Sequence, residues 1–228
     1  MTKPVLHIIR DQHCWLHAEK IIWWEEARSI IVSDLHFGKT GHFRKSGIAV
    51  PQSVYKEDMQ QLAAMIAHYQ PMKIIAVGDL FHSHANKELD WFLRWRQDFA
   101  HVAFCLVKGN HDILSPDWYA KAAIDVISNY YTEGPFGFIH DTAEIPEEQG
   151  SKFYWFSGHI HPGVRMEGSA KQSLRLACFY FQQQYAILPA FSRFTGLQLI
   201  RPKKADTIYG IIPADQRFQS PASILRLQ

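Results

Sequence analysis

Lys73-Ile-Ile-Ala-Val-Gly-Asp79 is a run of apolar and small residues that ends in glycine and then aspartate. A short, unbroken apolar run closed by glycine reads as a strand buried on both faces, parallel to its neighbours and with helices on both sides. Open α/β sheets place their ligands beyond the carboxyl ends of such strands, so Asp79 stands where a site is expected. One aspartate at that point has a blander account as a helix cap. Four further runs change the balance. Ser29-Ile-Ile-Val-Ser33 leads into Asp34-Leu-His36, and Val102-Ala-Phe-Cys-Leu-Val107 into Lys108-Gly-Asn110-His111-Asp112. Phe136-Gly-Phe-Ile139 leads into His140, and Phe153-Tyr-Trp-Phe156 into Ser157-Gly-His159-Ile-His161. Five apolar runs that each deliver Asp, Asn or His at the same end point to a single metal site.

The bulk properties are compatible with an enzyme and exclude little else. A chain of 228 residues holds a sizeable core in one or two domains; no linker is visible, so one domain over 1–228 is expected. Hydrophobic residues make up 47% and charged residues 20%, the balance of a globular protein. A net charge of +2 permits contact with nucleic acid without requiring it. Cys14, Cys105 and Cys178 form no Cys-x-x-Cys pair, which predicts reduced thiols and a cytoplasmic protein. Neither a signal peptide nor an apolar stretch of membrane-spanning length is visible, so no membrane role is expected.

Around the five runs, the chain predicts short strands over residues 4–28 and a helix from Pro51 to Tyr69. That helix buries Tyr55, Met59, Leu62, Ile66 and Tyr69 at three- and four-residue steps. A second helix carries Leu89, Phe92, Leu93 and Phe99, and a short one runs from Pro116 to Ala123. Pro162 and Gly163 read as the end of the last motif. Leu174–Phe181 and Tyr185–Leu188 read as a hairpin of a second sheet. The expected fold is α/β: two packed sheets, a sandwich flanked by helices. Between Asp34 and the first helix lies a basic, glycine-marked loop. Its Lys39, Arg44 and Lys45 are candidates to hold substrate phosphates, as basic groups do beside a phosphoester site. His82, three residues past Asp79, is a candidate to line the substrate cleft.

The candidate ligands are Asp34, His36, Asp79, Asn110, His140, His159 and His161. Seven side chains exceed what one ion takes while keeping a reactive position open, so two ions sharing a carboxylate fit the count. Asp79, on the central strand and with two oxygens, is the expected bridge. No cysteine belongs to the set, which disfavours a structural zinc site. Mixed imidazole and carboxylate donors suit manganese, with iron and zinc as alternatives, better than magnesium. Two ions about 3.5–4 Å apart clamp the attacking and leaving oxygens of an in-line displacement.

Asp34-x-His36, Gly78-Asp79, Gly109-Asn110-His111-Asp112, His140 and Gly158-His159-x-His161 resemble, in order, the motifs of the calcineurin-like metallophosphoesterase superfamily. The resemblance implies a β-sandwich flanked by helices and a dinuclear centre. By motif position it gives one ion Asp34, His36, Asp79 and His161, and the other Asp79, Asn110, His140 and His159. It makes His111 the general acid or leaving-group stabiliser, oriented by Asp112; the leading hypothesis has a metal-bound hydroxide as the nucleophile. The second motif departs from the usual Gly-Asp-x-x-Asp or Gly-Asp-x-x-Arg: here it reads Gly78-Asp79-Leu-Phe-His82. A narrower resemblance, carried by Ile21–Trp24, Ile30–Lys39, Phe43-Arg44, Gly47-Ile48, Val50-Pro51 and Gly78–Ser83, is to the ligase-associated DNA damage response phosphoesterases. It implies a DNA-directed phosphodiesterase or endonuclease working near a DNA ligase and a helicase. Two other functions compete: the same chemistry on a small nucleotide or phosphoprotein, and a non-catalytic scaffold of the same fold. A metal-reconstituted assay on nucleic acid and on a generic diester separates the three.

Overall fold

The structure is a computed structural model and describes residues 2–38, 53–81, 87–167, 173–193, 195–215 and 220–228. Seven strands form the first sheet in chain order: β1 (Val5–Ile9), β2 (Gln12–Leu16), β3 (Ile22–Trp24), β4 (Ser29–Ser33), β5 (Lys73–Val77), β6 (Ala103–Val107) and β7 (Asp125–Ile127). The pairs from β1 to β4 are antiparallel and those from β4 to β7 parallel. Connection length decides which. Arg10 and Asp11, at φ 49° and 60°, make the two-residue turn that joins β1 to β2. A parallel neighbour instead requires a crossover. The crossovers carry helices α1 (Ser53–Tyr69), α2 (Lys87–Asp98) and α3 (Pro116–Lys121).

The second sheet contains β8 (Tyr130–Glu133), β9 (Phe136–Ile139), β10 (Tyr154–Ser157), β11 (Pro162–Glu167), β12 (Ser173–Phe181), β13 (Tyr185–Ile187), β14 (Gln198–Leu199), β15 (Thr207–Ile212) and β16 (Ser223–Arg226). Its order is β14-β11-β12-β13-β10-β9-β8, with β15 beside β12 and β16 beside β15. β9 and β10 lie parallel, as do β10 and β13.

Each site strand of the first sheet is apolar throughout because both of its faces are covered. Ile30 and Val32 of β4, Ile74 and Ala76 of β5, and Phe104 and Leu106 of β6 pack in one cluster with Leu62, Ile66 and Phe92 of the helices. Ile31, Ile75, Val77 and Val107 point the other way and meet Phe136, Phe138, Phe156 and Phe179 of the second sheet. The continuous apolar pattern of Lys73–Val77 predicts helices on both sides; the structure corrects this to helices on one side and a sheet on the other. Pattern alone reports that a face is buried and not what buries it. Pro162 and Gly163, which follow the last motif, also open β11, Gly163 pairing with Ala177. Proline is tolerated as the first residue of a strand, so the Pro-Gly pair marks a strand start here.

Register sets the site rim. Ser33 is level with Val77, and Val77 with Val107, so β4, β5 and β6 end together. β9 and β10 end beside them: the Gly158 amide donates to the His140 carbonyl at 3.2 Å.

Candidate metal centre

Beyond the rim the chain leaves strand geometry abruptly. Asp34, His36, Asp79, His159 and His161 all have left-handed backbone, with φ of 51°, 48°, 50°, 69° and 50°. Such values are uncommon outside glycine, cost of order 1–3 kcal/mol each, and cluster where function over-determines the backbone. A spacing of two would put Asp34 and His36 on one face only if strand geometry persisted; β4 has ended, and two left-handed residues aim them instead. Cross-loop hydrogen bonds hold this backbone. The amides of Asp34, His36 and Phe37 donate to the carbonyls of Gly78, Asp79 and Leu80 at 3.2, 2.8 and 2.9 Å. On the other side, Phe191 N donates to Ser33 O at 2.9 Å and Ser192 N to Asp34 O at 3.3 Å. Sequence reasoning missed this 188–192 segment, whose contribution is made by backbone atoms that carry no side-chain signature.

Two groups of donor atoms result. Asp34, His36 and His161 form one, with His36 Nε2 3.1 Å and Asp34 Oδ1 3.4 Å from His161 Nε2. Asp34, Asp79 and His140 form the other, with Asp79 Oδ2 3.6 Å from His140 Nε2. Asp34 belongs to both. His159 joins the second group's edge, its Nδ1 3.3 Å from His140 Nε2. Both carboxylates are buried, Asp34 at 0% and Asp79 at 3% exposure. Among the described residues their ion-pair partners are histidines only, with no lysine or arginine. Buried carboxylates without a cationic side chain, facing convergent imidazole nitrogens, are the donor chemistry of a divalent cation. The residues fit the metals that the sequence implies.

A family model of the calcineurin-like phosphoesterases matches residues 27–166, which span both donor groups. The chain belongs to the calcineurin-like phosphoesterase family. It is a metal-dependent phosphoester hydrolase with that family's α/β sandwich. Among solved structures, the phosphoesterase is similar to a Pseudomonas putida nuclease, MPE. The two are 28% identical with a TM-score of 0.76, over 91% of this chain and 96% of that one. Matches to Yfce, a phosphoesterase from E. coli (11% identity, TM-score 0.44, 88% and 99% covered), and to AQ665, a protein of unknown function from Aquifex aeolicus (17%, 0.42, 58% and 78%), are more remote. No curated protein matches the chain.

The remaining predicted residues of the phosphoesterase are placed as follows. Asn110 is exposed on the turn after β6, between Gly109 and His111. His111 donates its amide to Asp79 Oδ1 at 2.9 Å, and its half-exposed ring brings Nε2 to 3.9 Å from Asp79 Oδ2. Asp112 is fully buried. Its Oδ1 accepts from the amides of Leu80 and Phe81 at 2.9 and 3.1 Å, and its Oδ2 from Gly109 at 2.9 Å. Asp112 thus ties the Asp79 loop to the Asn110 loop, and its hold on His111 runs through the backbone. Burial pushes its carboxyl up to about 6, outweighing the Gly109 and Phe81 amides that pull it down. Lys39, Arg44, Lys45 and His82 lie outside the described residues.

Glycine precedes the ligand in several motifs because a neighbouring ligand occupies the space of its side chain. At Gly78 (φ 78°) a Cβ would stand 1.8 Å from His140 Nδ1; at Gly158 it would stand 2.4 Å from Asp34 Oδ2. Gly78→Ala is expected to cost about 1–2 kcal/mol in backbone strain and to push the His140 ring off its position. Denaturant unfolding measures the first effect. Manganese titration measures the second, as a loss of affinity out of proportion to the lost stability.

Proposed function

We propose that this phosphoesterase is a DNA-directed phosphodiesterase, an endonuclease of DNA repair, working as one domain with two divalent ions. Manganese is our first choice, with iron and zinc as alternatives. The observation that carries the reading is the pair of donor groups meeting at one rim around buried Asp34 and Asp79. The substrate class rests on likeness to the Pseudomonas putida nuclease along nearly the whole of both chains. Asp34, His36, Asp79 and His161 would hold one ion, and Asp79, Asn110, His140 and His159 the other. When bound, the pair supplies an acidified water and positive charge facing the scissile phosphate. The chain's own residues do the rest. The buried carboxylates fix the ion positions. His111, half-exposed above Asp79, faces the departing oxygen and gives it a proton. Asp112 holds the loop that carries His111.

In this reading the protein works in the cytoplasm, alongside a DNA ligase and a helicase. The compartment agrees with its three buried free thiols, which burial pushes up to about 12 and leaves inert. Among the described residues no helix is long and apolar enough to cross a membrane. The deciding experiment reconstitutes the protein with manganese and compares single-stranded DNA, duplex DNA, RNA and bis(p-nitrophenyl) phosphate. Turnover of the small diester with no cleavage of DNA would overturn the DNA assignment.

Lys39, Arg44 and Lys45 are proposed to hold flanking phosphates of the strand. Replacing all three by Ala is expected to raise the KM for oligonucleotides about tenfold or more and to flatten its salt dependence, because each phosphate contact releases counterions. Turnover of the minimal diester should change little. Equal losses on both substrates would remove the strand-binding role.

A further inference from the structure

We infer that Asp141 is a positioning residue that fixes which nitrogen of His159 faces the metal centre. The inference rests on the two-ion reading above for its consequence, though its geometry stands by itself. His159 and His140 present ring nitrogens to one another: His159 Nδ1 lies 3.3 Å from His140 Nε2. The His140 proton is assigned by its own second contact, since its Nδ1 lies 3.4 Å from the Val77 carbonyl, an acceptor only. The Asp79 carboxylate, whose Oδ2 lies 3.6 Å from His140 Nε2, competes for that proton until a cation binds it; with the cation in place, Nε2 carries a lone pair. For His159 two tautomers compete. With the proton on Nδ1, the ring donates to His140 Nε2, and the two histidines satisfy each other and close the position to a cation. With the proton on Nε2, both facing nitrogens are lone pairs, and a cation between them is the natural occupant.

Asp141 biases that choice. Its Oδ2 lies 3.8 Å from His159 Nε2, within ion-pair reach and a few tenths of an ångström beyond a hydrogen bond. Its other oxygen is fixed, since Oδ1 accepts from the Ala143 amide at 2.9 Å, capping the 3-10 turn Thr142–Glu144. The carboxylate is thus anchored at one oxygen and offers the other to the outer nitrogen of the ring. A carboxylate there draws the proton to Nε2 and releases Nδ1 for coordination, as partners of metal-bound histidines do. The Val77 carbonyl does for His140 what the Asp141 carboxylate does for His159. Because Asp141 directly follows His140, one stretch of chain supplies a donor and orients its neighbour.

Asp141→Ser and Asp141→Asn in the full chain test this. Both replacements keep a side-chain oxygen able to cap the turn. With that oxygen on the turn, Asn presents its amide nitrogen, a donor, where Oδ2 stood, and Ser presents nothing there. Manganese titration followed by electron paramagnetic resonance is expected to show two equivalents and an exchange-coupled pair in wild type. In Asp141→Ser and in Asp141→Asn alike, the second ion should bind about 10–100-fold more weakly, leaving a mononuclear spectrum at the same concentration. Long-range proton–nitrogen correlation on the metal-free protein should place the His159 proton on Nε2 in wild type and shift it toward Nδ1 in Asp141→Ser. If Asp141→Ser matches wild type in second-ion affinity and in tautomer, Asp141 is only a turn cap and the inference fails. If wild type binds a single ion, the two-ion reading fails instead, and the tautomer measurement alone decides the role of Asp141.

Discussion

Asp79→Asn is expected to yield a folded protein that retains neither metal and hydrolyses diesters at least about 10³-fold more slowly. The metals account for several kcal/mol of transition-state stabilisation, and each 1.36 kcal/mol is a factor of ten. Folding should survive for a geometric reason. Asp79 Oδ1 accepts from the His111 amide, and the Asn carbonyl oxygen can keep that bond. Oδ2 faces His140 Nε2 at 3.6 Å, and an amide nitrogen in its place can donate there. The substitution removes a buried charge without orphaning its neighbours, so the denaturation midpoint of the metal-free protein should hold or rise. Elemental analysis reads the metal content directly. Asp34→Asn is the necessary companion, because Asp34 belongs to both donor groups. With Asp79 as the bridge, Asp34→Asn weakens one ion more than the other. Two equivalents retained by Asp79→Asn, with both lost from Asp34→Asn, would transfer the bridge to Asp34.

The second large effect is expected at His111. Its ring is 47% exposed, stands 3.9 Å from Asp79 Oδ2, and packs edge-on to His36 with centroids 5.8 Å apart. A group so placed is open to a substrate and is not buried among the donors. His111→Ala should keep the fold and the metals. A proton donor matters most when the leaving group is poor, so the loss should be about 10²–10⁴-fold on DNA or an alkyl diester. On bis(p-nitrophenyl) phosphate, whose leaving group departs unassisted, it should be far smaller. Plotting log kcat against leaving-group pKa for wild type and variant decides the matter. A steeper line for His111→Ala supports proton donation; parallel lines would reduce His111 to ordering the loop or binding substrate.

Much of the site is legible in the chain because its grammar is local. Each apolar run is short enough to be a strand, and each ends in the residue types that metals use. Gly78, Gly109 and Gly158 announce that something presses close, but not what. Only the packed structure shows the His140 ring at Gly78 and the Asp34 carboxylate at Gly158. Asp112 is another case: adjacency in sequence sets it against the His111 ring, while folding brings it the amides of Leu80 and Phe81 from 32 and 31 residues away. The β8 and β16 strands escape pattern reading for a related reason. Tyr130–Glu133 and Ser223–Arg226 are edge segments, partly or largely exposed, so they need no unbroken apolar run.

By itself the sequence determines the strand–helix order from β4 to α3, the chemistry of the seven candidate donors, and the end of the strands at which they gather. These follow from hydrophobic period and residue type, which act over a few neighbours. The tertiary structure decides what covers the second face of β5, that Asp34 is common to both donor groups, and that Asp141 stands behind His159. His36 and His161 are 125 residues apart in the chain, yet their Nε2 atoms approach to 3.1 Å. That distance is set by two sheets packing face to face and by five left-handed residues at their rim, both of which are properties of the assembled backbone and not of any short stretch of residues.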